Sequence, residues 1–137
     1  MTKIFCDIAD IKLISKFNSK FIVKGFTTNP SLMRKAGAKD YRNYSLNILK
    51  VTNKPVSFEV FADNAKNMIS QGLKISEWGK NVYVKVPVTN SKGKFMGKVI
   101  KELNMNEIKL NITAVYSFSQ TKKILKNINK KTDVIIS

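Results

Sequence analysis

Val82-Tyr83-Val84-Lys85-Val86-Pro87 sets three valines on one face of a strand and Tyr83, Lys85 and Pro87 on the other. The same two-residue alternation recurs along the chain. Val56, Phe58 and Val60 oppose Ser57 and Glu59; Leu110 and Ile112 oppose Asn111 and Thr113; Ile4, Cys6 and Ile8 oppose Phe5 and Asp7. Strands of an open, doubly wound sheet are buried on both sides and read as apolar on both faces. Here one face is apolar, as for packing under helices, and the other carries Asp, Glu, Lys, Asn and Thr. That pattern predicts a barrel with a polar interior end.

Six strand candidates follow one another: Ile4–Ile8, Phe21–Thr27, Pro55–Phe61, Asn81–Pro87, Lys109–Thr113 and Asp133–Ser137. Between them lie segments with apolar residues at helical spacing: Ile11, Ile14 and Phe17; Met68, Ile69, Leu73 and Ile75; Ile124, Leu125 and Ile128. Asp10 and Asp63 are N-terminal helix signals and Gly79 a stop. The connection from Asn29 to Lys54 is read as a helical turn at Ser31–Lys35 and a helix around Tyr41–Lys50. Crossovers of this length imply a parallel α/β sheet, and no linker divides residues 1–137, which are read as one domain. Asp7, Asn29, Glu59, Lys85, Thr113 and Ser137 fall at or just beyond the C-terminal ends of the six strands. (β/α)8 barrels assemble their active sites at that end. Singly, each such residue reads as a cap or turn former; their recurrence in every unit favours a site.

Composition narrows the chemistry. The chain has 43% hydrophobic and 25% charged residues, as in a globular protein. No apolar run reaches the roughly 20 residues of a membrane helix, and Met1–Asp7 lacks the apolar stretch of a secretory signal. A soluble, cytoplasmic protein is expected. One cysteine, Cys6, and no histidine exclude an internal disulfide, a Cys/His metal site and a histidine-based triad. Neither GxGxxG nor a P-loop is present, so no nucleotide cofactor is expected. The net charge of +16 raises a nucleic-acid interface as an alternative. Against it, only Arg34 and Arg42 among 25 basic residues are arginines, and the lysines are scattered. Abundant Lys, Asn and Ile look instead like the footprint of an AT-rich genome, although a positive field suits a phosphorylated substrate.

Lys85 is the sharpest chemical signal. Burial costs an ammonium more than a neutral amine, and a neutral amine attacks a ketone to form an imine. The alternative is an edge-strand lysine facing solvent. Asp7 and Glu59 supply carboxylates for proton transfer; Asn29 and Asn111 can bind hydroxyls, and Thr113 can hold a water beside Glu59. Without histidine, acid–base work falls to carboxylates, lysine, tyrosine or water.

Cys6-Asp7-Ile8-Ala9-Asp10 resembles the opening motif of the transaldolase family, and Gly25-Phe26-Thr27-Thr28-Asn29-Pro30-Ser31-Leu32 is similar to its Thr-Thr-Asn-Pro-Ser segment. The blocks Pro55–Val60, Val82–Pro87 and Leu110–Thr113 follow in family order over essentially the whole chain. The resemblance implies a metal-free class I aldolase without a cofactor, built on a TIM (β/α)8 barrel of which about the first six strands are present. It assigns Lys85 to the Schiff base with C2 of a ketose and Asp7 to the C4 hydroxyl proton. Cleavage of C3–C4 then leaves a dihydroxyacetone enamine held by Asn29 and Asn111. Glu59 serves proton transfers through a water positioned by Thr113, and Thr27 and Ser137 join the substrate contacts. Glu59 follows the transaldolase pattern, whereas fructose-6-phosphate aldolases tend to have glutamine there. The partner implied is a sugar phosphate, with no membrane, and a homo-oligomer is left open for the full-length form.

Such barrels run to about 250 residues, and this chain stops at Ser137. The arginine-bearing segment associated with the substrate phosphate and strands seven and eight are expected to lie beyond it, which makes the sequence read as a fragment with two unpaired sheet edges. Completion by a second chain is the lesser expectation. Kept beside transaldolase chemistry are an aldolase releasing free dihydroxyacetone, an inactive fragment, and a basic nucleic-acid-binding module.

Overall fold

The computed structural model describes residues 2–137. Its elements run β1 (Ile4–Asp7), α1 (Ile11–Asn18), β2 (Val23–Thr27), α2 (Pro30–Lys35), α3 (Tyr41–Val51), β3 (Val56–Glu59), α4 (Ala65–Ser76), β4 (Val82–Pro87), α5 (Gly97–Met105), β5 (Leu110–Thr113), α6 (Phe118–Leu125) and β6 (Val134–Ile136). Strands and helices alternate, β1–β2, β2–β3, β4–β5 and β5–β6 pair in parallel, and the strand order is sequential. This is the α/β class of an incomplete TIM barrel. The chain divides into two compact units, one reaching Glu59 and including Trp78–Val82, the other comprising Val60–Glu77 and Tyr83–Ser137.

In the first unit β2 pairs with β1 and β3 with β2. Ile14, Phe26, Met33, Ile48, Val56 and Phe58 are buried, and α1 packs on α3 and β2. Gly25 allows the close approach of β1 and β3, because a Cβ there would meet the Phe5 ring and lie 2.7 Å from the Pro55 carbonyl oxygen. The helix starts follow side-chain chemistry. Asp10, Asn29 and Asp40 each accept a backbone N–H three residues on, from Leu13, Leu32 and Asn43. Pro30, in the first turn of α2, lacks only an N–H that would be orphaned there.

In the second unit β5 pairs with β4 and β6 with β5. Val84, Val86, Leu110 and Ile112 are fully buried. Helix α5 packs on α4, β5 and α6, and Gly72 in α4 lies where a Cβ would stand 2.7 Å from the Leu103 side chain. A capping box of Ser117 and Gln120 starts α6.

Three local expectations are corrected. Asn64, not Asp63, caps α4; Asp63 is instead engaged by Ser91. Phe21 and Ile22 precede β2 and are 85% and 61% exposed, because the chain turns at Lys20, whose carbonyl accepts the Val23 N–H. Leu73 and Leu125 leave the core faces of their helices, where Gly72 and Ile124 are the buried neighbours. Helix α5 is a further helix beyond those expected, with Val99, Ile100 and Leu103 on its buried side.

Candidate active site

In the first unit the predicted residues come from β1, β2, β3 and the turn after β2. Asp7 and Thr27 are register partners on adjacent strands, so their side chains leave the same face. Thr27 Oγ1 donates to Asp7 Oδ1 at 2.8 Å, orienting a carboxylate that is otherwise exposed. Thr27 is also in register with the buried Ser57, and Glu59 lies two residues further along the same face. Asn29 turns off at the end of β2, its side-chain oxygen committed to capping α2 at 2.9 Å from Leu32 N.

Glu59 is half-buried, and its backbone is held from outside the sheet. Tyr41, at the first position of α3, donates its phenolic O–H to the Glu59 carbonyl at 3.0 Å and accepts the Glu59 N–H at 2.9 Å. Trp78 packs on Tyr41 and on Phe58, with ring centroids 5.9 and 5.8 Å away. Burial, helped by the Glu59 charge, pushes the Tyr41 phenol far above its ordinary range. It therefore remains a donor throughout neutral and moderately alkaline pH.

In the second unit Lys85 lies in the middle of β4 at 9% exposure, between the fully buried Val84 and Val86. The solvent-facing edge-lysine alternative is thereby removed. Its register partner on β5 is Asn111, 1% exposed. The two side chains stand on one face, on strands about 4.8 Å apart. Ser137, just past β6, donates its Oγ to Asn111 Oδ1 at 2.8 Å, and its N–H to the Ile112 carbonyl at 2.9 Å. Thr113 sits one register step beyond Asn111 on the same face, opposite Pro87. After it, Ala114 takes φ 60°, rare for a residue with a Cβ, and the Val115 N–H reaches the Ser137 carbonyl at 3.0 Å.

The structure therefore joins Asp7 with Thr27, and Lys85 with Asn111 and Ser137. It gives Asn29 a capping duty besides any contact with substrate. Several residues escaped the sequence reading. Tyr41 reads in sequence as a helix start, and nothing in strand alternation points to a side chain arriving from α3. Tyr83 does share the Lys85 face, but its O–H goes to Asp133 Oδ2 at 3.3 Å, and burial with that carboxylate raises its phenol. The loops after β3 and β4 are also clasped together. Asp63 accepts the Ser91 N–H at 2.8 Å and the Ser91 hydroxyl at 2.7 Å, and its carbonyl accepts Asn90 Nδ2 at 3.2 Å. The two Ser91 bonds hold the Asp63 carboxyl below its usual range.

Among the described residues, no group of three or more His, Cys, Asp or Glu side chains could hold a metal ion, and no helix is long and apolar enough to cross a membrane.

The family model described as Transaldolase/Fructose-6-phosphate aldolase matches residues 4–137. A "Probable transaldolase" of Herpetosiphon aurantiacus is 38% identical over 118 residues, 86% of this chain and 51% of that protein. Proteins of the same name from Clostridium acetobutylicum and Lactiplantibacillus plantarum are each 36% identical over 118 residues, covering 86% of this chain and 53% and 52% of theirs. The chain spans about half the length of the curated relatives it matches. With strand order, helix alternation and sequence in agreement, the chain belongs to the transaldolase/fructose-6-phosphate aldolase family.

Proposed function

We propose that the protein carrying this chain transfers a dihydroxyacetone unit from a phosphorylated ketose to an aldehyde, with Lys85 forming the Schiff base. The observation that carries this reading is a lysine 9% exposed in mid-strand, in register with the buried amide of Asn111.

Lys85 Nζ adds to the C2 carbonyl of the ketose, and loss of water leaves an iminium. Asp7 accepts the C4 hydroxyl proton. The C3–C4 bond breaks, the aldehyde departs, and the bonding pair passes into the iminium to give an enamine on Lys85. The enamine carbon then attacks the acceptor aldehyde, whose oxygen takes the proton back from Asp7. Hydrolysis of the new iminium frees Lys85. Glu59 and Thr113 serve the water and proton transfers of imine formation and hydrolysis. Asn29, Asn111, Thr27 and Ser137 bind the sugar hydroxyls. Asn111 receives the Ser137 hydroxyl, which fixes the amide before substrate arrives. The Thr27 bond does the same for Asp7.

Borohydride reduction in the presence of a ketose phosphate tests the assignment. The expected result is one stable adduct, located on Lys85 by peptide mass. An unmodified Lys85 in the complete protein, or an adduct on another lysine, overturns it. Product analysis with and without an acceptor aldehyde separates transfer from simple release of dihydroxyacetone, and Glu59, an acid rather than an amide, supports transfer.

A further inference from the structure

The end of β3 carries a hydroxyl in place of a strand. Thr27 is the last residue of β2 and is in register with Ser57. The Thr28 N–H still reaches the Ser57 carbonyl at 3.1 Å, but Asn29 then leaves the sheet to cap α2. In a parallel ladder alternate residues of a strand address the same neighbour. Ser57 faces β2, and Glu59, two residues on, therefore faces β2 where β2 has already ended. The N–H and C=O that Glu59 would have given to a strand are both taken by the Tyr41 phenol, at 2.9 and 3.0 Å. That ring is held in turn by Trp78, which also packs on Phe58.

We propose that Tyr41 is a positioning residue for Glu59, fixing by its two hydrogen bonds the backbone from which the proton-transferring carboxylate projects. The proposal rests on the role assigned to Glu59 above. The phenol makes no contact with the reacting atoms in this scheme. Its contribution is geometric: a part-buried N–H and C=O left without partners would draw the strand end toward water. A displacement of about 1 Å at a group that must meet its proton costs up to about 10²-fold in rate. A phenolate could not donate to the Glu59 carbonyl, and the burial of Tyr41 keeps the proton on the phenol.

The test is a double-mutant cycle on the complete protein, reading the single-turnover rate of Lys85 adduct formation and its half-saturating ketose concentration. Tyr41→Phe is expected to slow adduct formation about tenfold with half-saturation unchanged. On a Glu59→Gln background it is expected to cause no further loss. Trp78→Phe, which loosens the same packing but keeps the hydroxyl, should leave the rate within about twofold of the parent. An unchanged rate in Tyr41→Phe, or the same tenfold loss with and without Glu59, overturns the proposal. If the parent forms no adduct on Lys85, the functional reading fails separately. The positioning claim is then decided by NMR of glutamate-labelled protein. A shifted Glu59 carboxyl resonance and faster exchange of its amide in Tyr41→Phe support it, and unchanged values of both overturn it.

Discussion

The first unit holds Asp7 and Glu59 by hydroxyls reaching them, whereas the second buries Lys85 and Asn111. Asp7 is exposed and fixed by Thr27, and Glu59 is half-buried and fixed through its backbone by Tyr41. Lys85 and Asn111 are enclosed, with Ser137 closing on the amide. The difference matches the chemistry proposed for each. A carboxylate that trades protons with substrate and water works with an open face. A nucleophilic amine and the amide beside it benefit from a dry surround in which hydrogen bonds are stronger.

The largest effect expected separates the two units by step. Lys85→Ala should reduce the borohydride-trapped adduct to background. Asp7→Asn should still give the adduct while cleavage falls by about 10²–10⁴-fold, the usual share of a general base. If Asp7→Asn also abolishes the adduct, the division of labour between the units breaks down. Next come two glycines that look alike by burial. Gly25→Ala drives a Cβ into the Phe5 ring and the rigid Pro55 carbonyl, and should cost about 2–3 kcal/mol in denaturant unfolding. Gly72→Ala meets side-chain ends alone, the tip of Leu103 and, at ordinary contact distance, Val84, and gains about 1 kcal/mol of helix propensity. Its net loss should stay below about 1 kcal/mol, and equal losses would show that β1–β3 has more give than its contacts imply.

Loss of a hydroxyl should also be felt unequally. Ser137→Ala strips a donor from the buried Asn111 oxygen and should cost roughly 1–2 kcal/mol. Thr27→Val removes a donor from an exposed carboxylate and should stay within about 0.5 kcal/mol while lowering the cleavage rate. The smallest effect is on pH dependence. Tyr41 and Tyr83 both have raised phenols, so the folded state holds its protons where the unfolded state releases them. Stability is therefore full below about pH 10, the unfolded phenol value, and declines above it. Urea midpoints measured from pH 9 to 11 should flatten in Tyr41→Phe and, less strongly, in Tyr83→Phe. An unaltered slope in both would remove Tyr41 and Tyr83 as its source.

Much of this was legible from residues alone because alternation in a strand is a two-valued code. Lys85 opposite three valines, and Asn111 between Leu110 and Ile112, could point only one way once the strands were placed. What alternation could not deliver is anything that arrives from another element. Tyr41 reaches Glu59 from a helix start, Asp133 reaches Tyr83 from the approach to β6, and Ser91 reaches Asp63 from the following loop. Capping was read correctly where the acidic residue directly preceded the helix, as at Asp10. It was misplaced by one residue where Asp63 and Asn64 stand side by side, because the carboxylate had a better donor in Ser91. The face opposite the valines proved nearly as buried as the apolar face at Ser57, Lys85 and Asn111. Polarity of sequence marked the face without revealing its depth.

In each unit, every strand pairs with the one made just before it: β2 on β1, β3 on β2, β5 on β4, β6 on β5. A ribosome releasing this chain therefore presents β2, β3, β5 and β6 each with a partner already made. Each of these four has its template about 20–40 residues back, and the helix between them is finished first. Folding can keep pace with translation one βα step at a time. The lysine of β4 would then become enclosed only when the asparagine of β5 arrives beside it.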